Sequence, residues 1–179
     1  MTDAAAIAVA ARVQAGFERV HRERMSGLPF VNDALRVEVV GLRRWRGLWL
    51  GALVTPWFMN LLLLPGDGAT EDGEIAAQWP RLATGEYAQF TFPAGEMSFL
   101  GGREGEAGEY LSCSLFSPMF EFAGHDDARS TAEACLLALL DPDAAAAQVA
   151  AESTPPAPLR RREFLRGRRE QVETPPEPR

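Results

Sequence analysis

Leu48-Trp49-Leu50-Gly51-Ala52-Leu53-Val54-Thr55-Pro56-Trp57-Phe58-Met59-Asn60-Leu61-Leu62-Leu63-Leu64-Pro65 is the stretch that decides the fold. It carries no charge. Gly51 and Pro56 interrupt it, and it falls short of the roughly 20 apolar residues that a membrane span needs. It therefore reads as buried strand. Residues 48–55 form one strand and residues 57–64 continue it. Pro56 has no N–H to give to a ladder, so it marks an edge, a bulge or a break between two short strands.

Outward from this stretch the pattern stays β. Leu35, Val37 and Val39 alternate with Arg36, Glu38 and Val40, the period of a half-buried strand. Residues 43–47 read as the turn that follows. Pro65-Gly66-Asp67-Gly68 reads as the next turn, opening a loop over residues 66–84. Residues 85–93, 96–100 and 108–116 read as strands, with a turn at Gly101-Gly102. In the last strand Leu111, Cys113 and Leu115 face one way, and Tyr110, Ser112, Ser114 and Phe116 the other. A helix is expected over residues 3–25, capped by Asp3, with Ile7, Val9, Val13, Phe17 and Val20 as its apolar stripe. A second helix starts at Asp126 or Asp127 and ends near Leu140, where Asp141-Pro142-Asp143 breaks it. Ala144 to Ala151 weakly extends it. The fold class is α+β. An antiparallel sheet of five to six strands carries an N-terminal and a C-terminal helix. The domain spans residues 1–151, and residues 152–179, rich in Pro, Arg and Glu, form a disordered tail.

Charge is unevenly placed. Residues 1–150 hold 11 Arg against 20 Asp and Glu, and residues 151–179 hold 7 Arg against 5 Glu. An acidic body does not suit general nucleic-acid binding, which needs a basic folded face. It suits a basic peptide. No charged-then-apolar leader opens the chain, so a cytoplasmic protein is expected, without membrane insertion.

Catalytic chemistry finds little support. The two cysteines, Cys113 and Cys135, form no C-x-x-C pair, which excludes a four-cysteine zinc or rubredoxin-type iron site within the chain. Cys113 with His125 is the one thiol–base pair with loop context, and no motif supports it. His125-Asp126-Asp127 suits helix capping better than metal ligation. Neither a catalytic residue nor a metal or cofactor is expected.

The aromatic and methionine content points instead to a binding surface. The run Cys113-Ser114-Leu115-Phe116-Ser117-Pro118-Met119-Phe120-Glu121-Phe122 echoes Thr55–Pro65: both combine aromatics, Met and Pro. Most of these residues belong to a core. Alternation nonetheless leaves a bulky side chain on the opposite face in either register: Phe58 and Asn60 if Trp57 and Met59 point inward, Trp57 and Met59 if they point outward. Methionine suits surfaces that accept varied apolar partners. Trp57, Phe58, Met59, Asn60, Phe116, Met119, Glu121 and Phe122 are the candidate client-binding residues. Glu121 is either the exposed phase of a strand end or a carboxylate for an incoming Arg. An exposed strand edge at Pro56 is consistent with a homodimer as well as with a client site.

Several strings resemble those of the HybE-type [NiFe]-hydrogenase assembly chaperones. They are Leu28-Pro29-Phe30-Val31-Asn32, Val37-Glu38-Val39-Val40-Gly41, Gly51 through Leu61, Phe92-Pro93-Ala94-Gly95, and Tyr110 through Phe122. The resemblance implies a chaperone without catalytic residues, acting on the hydrogenase small-subunit precursor. It would bind the twin-arginine signal peptide and delay export until cofactors and the large subunit are in place. The alternative it leaves is a scaffold that binds folded hydrogenase subunits or other maturation proteins. Some relatives carry a C-terminal rubredoxin domain, whose cysteine pairs this chain lacks. In the tail, Arg160-Arg161-Arg162-Glu163-Phe164-Leu165-Arg166 looks like the core of a twin-arginine signal, with Arg161, Arg162, Phe164 and Leu165 as its key positions. No apolar segment follows, so it cannot direct export. It is either a solvated basic tail or a self-interacting pseudo-signal.

Overall fold

A computed structural model describes residues 3–66, 79–80 and 82–152. The expected loop therefore lies largely outside the described residues, and the tail motif lies wholly outside them. Six strands form one antiparallel sheet: β1 (Glu38–Trp45), β2 (Leu48–Val54), β3 (Met59–Leu64), β4 (Tyr87–Phe92), β5 (Gly95–Glu104) and β6 (Gly108–Phe116). Their spatial order is β1-β2-β3-β6-β5-β4. Helix α1 (Ala4–Val20) precedes the sheet, and α2 (His125–Leu140) and α3 (Pro142–Glu152) follow it.

The two helical regions pack on opposite faces. Val9, Val13 and Phe17 of α1 meet Trp49, Leu53, Leu62 and Leu64. Ala128, Ala132, Leu136 and Leu139 of α2 meet Leu50, Ala52, Val54, Met59, Leu61 and Leu63 on the other side. Central strands covered on both faces are apolar at successive positions rather than alternating ones. That explains the uncharged stretch without an exposed apolar surplus: every residue of β2 is buried.

The stretch contains a chain reversal rather than one continued strand. β2 and β3 pair antiparallel, with Val54 opposite Met59. Thr55-Pro56-Trp57-Phe58 is the connection, so Pro56 withholds its missing N–H at a turn, where no ladder needs it. Pro56 is buried and β2–β3 is central, so the expected exposed edge is not there. The edges are β1 and β4.

Three further boundaries differ from the pattern. β1 runs through Arg43–Trp45, and the turn is only Arg46-Gly47, both at positive φ (46° and 76°), which matches the twist of a two-residue hairpin. β5 continues through Gly101-Gly102 instead of turning. A Cβ on Gly102 would lie 2.6 Å from the Tyr110 ring, so glycine there reflects close packing. A register shift between β3 and β6 sets Phe116 opposite Met59 but Ser114 opposite Asn60. The extra residue resets the alternation. Phe116 thus packs on the α2 side with Leu115, not opposite to it.

At the termini the pattern holds. Asp3 caps α1 by accepting the Ala5 N–H at 2.9 Å, and a short π-helical turn, His21–Met25, follows. Asp141 ends α2 and caps α3, its carboxylate accepting the Ala144 N–H at 3.0 Å. Pro142 sits where a helix tolerates a missing N–H.

Candidate functional site

At one end of the sheet, three segments remote in sequence are tied into one cluster. The first is the β2–β3 turn. The Thr55 N–H donates to the Phe58 carbonyl at 2.9 Å, and its Oγ1 accepts the N–H groups of Trp57 (3.3 Å) and Phe58 (2.9 Å). A buried turn leaves no backbone polar group for water to satisfy, and a threonine hydroxyl supplies the partners internally.

The second is the segment after the π-helical turn. The Asn32 N–H donates to the Pro56 carbonyl at 2.8 Å. Its side-chain amide donates to the carbonyls of Met119 (3.0 Å) and Phe122 (2.9 Å), while its Oδ1 accepts the Ala34 N–H at 3.1 Å. One asparagine thus saturates its amide and joins the third segment, Ser117–Phe122, to the first. Ser117 Oγ donates to the Trp57 carbonyl at 3.5 Å. The Ser117–Pro118 peptide is cis. The two echoing aromatic runs therefore meet through strand pairing and hydrogen bonds, which their separation in the chain concealed.

The candidate residues divide by burial. Met59 and Met119 are fully buried, and Trp57 and Phe122 nearly so. Phe58, Asn60 and Phe116 are half-buried, and Glu121 is exposed. Trp57 and Phe58 share the α1 side, with Phe58 6.0 Å from the Phe17 ring and Trp57 5.6 Å from that of His21. Their expected placement on opposite faces fails because both belong to a turn, where strand alternation does not apply. Met59 and Met119, expected on a client-binding surface, instead lie in the core beneath the cluster.

What the cluster displays is different. Phe30 is 42% exposed, Phe120 59% and Leu28 37%, with Glu121 beside Phe120. These three apolar groups come from the Asn32 and Met119–Phe122 segments that the asparagine joins. Their signal in the sequence was weak: single apolar residues among turn residues, with no periodicity.

Elsewhere, His125 is engaged on both ring nitrogens. Nδ1 accepts the Arg36 N–H at 3.3 Å, and Nε2 lies 2.6 Å from the Glu38 carboxylate. With Nδ1 accepting, Nε2 carries the proton and donates to Glu38. The ring thus anchors the start of α2 to β1, and neither nitrogen is left for Cys113 or a metal. Burial raises the pKa of both Cys113 and Cys135, keeping them as thiols rather than nucleophilic thiolates. Among the described residues no group of three or more His, Cys, Asp or Glu is placed to hold a metal ion. No helix among them is long and apolar enough to cross a membrane.

The fold is that of an α+β protein in which two hydrogen-bonded segments display Leu28, Phe30 and Phe120. The comparisons with known proteins specify it further. Residues 8–167 match the family described as "[NiFe]-hydrogenase assembly, chaperone, HybE", and the chain belongs to that family. It is 39% identical to the hydrogenase expression/formation protein HupJ of Bradyrhizobium diazoefficiens, over 92% of this chain and 91% of that one. It is 40% identical to the protein HoxT of Cupriavidus necator, over 82% and 81%. The solution structure of HybE from Escherichia coli superposes with a TM-score of 0.59 at 26% identity, covering 95% of this chain and 91% of that one. The family match includes the strings that build the cluster.

Proposed function

We propose that this hydrogenase assembly chaperone binds the precursor of a hydrogenase small subunit through its twin-arginine signal peptide and holds it back from export until cofactors and the large subunit are in place. The observation that carries the reading is the exposure of Leu28 and Phe30 on one segment and of Phe120 and Glu121 on the other, the two segments being joined by the Asn32 amide. A signal peptide presents paired arginines followed by apolar residues. An apolar surface flanked by a carboxylate on an acidic body complements both parts. Phe58, Asn60 and Phe116 reach the surface partly, and Trp57, Met59, Met119 and Phe122 support it from beneath. The site holds the peptide by contact area and charge, without covalent chemistry.

The test is calorimetric titration of the protein with two small-subunit precursors, one with its signal peptide and one without. Binding should require the signal and weaken in salt. The double substitution Phe30→Ser/Phe120→Ser should weaken it about tenfold or more, as losing two aromatic anchors does. Equal binding to both precursors refutes signal recognition and assigns the protein to a scaffold for folded subunits.

A further inference from the structure

On the far side of the sheet from α1, the two C-terminal helices leave an open apolar cleft of about 330 Å³. Ala134, Cys135 and Ala138 of α2 and Ala145, Gln148 and Val149 of α3 are among its lining residues. Val149 is 63% exposed. The cleft lies in a one-signed stretch. From residue 130 to residue 152 the chain has no Lys, Arg or His. Arg129 at its start pairs with Glu133 at 3.3 Å, and Asp141 and Asp143 stand at the junction of the two helices.

The chain leaves α3 at Glu152 and then changes character. Residues 153–179 hold seven arginines against four glutamates, and Phe164-Leu165 is their one adjacent pair of large apolar residues. The family match does not stop with α3 but continues to residue 167, and so takes in Phe164 and Leu165.

We propose that the α2–α3 cleft is the docking site of the chain's own C-terminal segment. Phe164 and Leu165 enter between the helices, and Arg160, Arg161, Arg162 and Arg166 lie over their carboxylates. The reach is ample. Cleft residues Ala145 to Val149 lie about 5–10 Å back along α3 from its end, at 1.5 Å per residue. The twelve residues from Glu152 to Phe164 span about 40 Å extended and about 19 Å as a flexible coil. Apolar side chains fill an apolar cleft that water otherwise occupies, and the charges complement. Tethering favours this occupant over a second copy or a free peptide, because a short linker gives a local concentration on the order of millimolar.

The native cysteines report on this directly. Cys135 lines the cleft, whereas Cys113 lies in β6. N-ethylmaleimide labelling of the full-length protein, resolved by mass spectrometry of the two cysteine peptides, is followed in the wild type and in Phe164→Ser/Leu165→Ser. Cys135 should label about tenfold faster in the variant, the effect of ~1 mM local concentration against a dissociation constant of ~0.1 mM. Cys113 should not change. Arg160→Gln/Arg161→Gln/Arg162→Gln should also accelerate Cys135, and added salt should accelerate the wild type. As a positive arm, Leu165→Cys should form a disulfide with Cys135 within the monomer. Equal Cys135 rates in wild type and variant overturn the proposal. So does acceleration at both cysteines alike, which reports a loosened fold, and so does protection that grows with protein concentration, which assigns the cleft to a neighbouring molecule.

Discussion

Replacing Asn32 tests whether one amide holds the displayed patch together. Its side chain donates two hydrogen bonds, at 3.0 and 2.9 Å, to the carbonyls of Met119 and Phe122. In Asn32→Ala both bonds are lost and both carbonyls lose a donor. A neutral hydrogen bond contributes about 0.5–1.5 kcal/mol net, and a buried acceptor left alone costs more. The site is part-buried, so water recovers some of this, and the expected loss is about 2–3 kcal/mol. For a chain of this size that lowers the melting temperature by roughly 5–10 °C. Asn32→Asp is the sharper variant. It has the same shape, but at neutral pH its carboxylate has no donor and faces two carbonyl oxygens. It should destabilise at least as much as Asn32→Ala. Urea unfolding followed by tryptophan fluorescence measures both, with an unchanged slope marking an intact denatured state. If Asn32→Asp unfolds within about 0.5 kcal/mol of the wild type, the two donated bonds do not hold the cluster and the account of the patch fails.

Four other expectations follow from burial and geometry. Met59→Ala and Met119→Ala should each cost about 2–4 kcal/mol by urea unfolding, because both side chains are fully buried. Phe120→Ser should cost less than about 1 kcal/mol in the same assay. Gly41→Ala should cost about 1–3 kcal/mol, since its φ of 63° disfavours a side chain and the new Cβ would lie 2.7 Å from Leu136 Cδ1; an unchanged urea midpoint would refute this. Burial first, and then the charge of Glu104, raises the pKa of Tyr110 above its ordinary 10.0, with Arg24 opposing. The folded protein therefore keeps a proton that the unfolded chain has lost. This contribution is full below pH 10 and disappears as pH rises through the raised value. Tyr110→Phe should accordingly flatten the alkaline fall in urea midpoint. Absorbance at 295 nm should show Tyr110 ionising above its ordinary 10.0.

Features set by local chemistry can be read from the chain alone. Asp3 capping α1, the break of α2 at Asp141-Pro142, and the alternation of β4 depend on neighbours a few residues away, and they are legible for that reason. That Pro142 opens a separate helix, and that a register shift resets β6 at Phe116, are not. The family is legible too, because long strings such as Gly51 through Leu61 carry the resemblance. Tertiary structure decided which faces are covered. With α1 on one side of β2–β3 and α2 on the other, successive residues of the central strands are buried. The choice between registers that alternation demanded never arises, and Met59 belongs to the core. Only the fold could reveal that Asn32 closes its amide on Met119 and Phe122, 87 and 90 positions away. A hydrogen bond across that span leaves no period or composition in the chain. It exists because two turns and a strand pairing bring one donor to two carbonyls that water cannot fully reach.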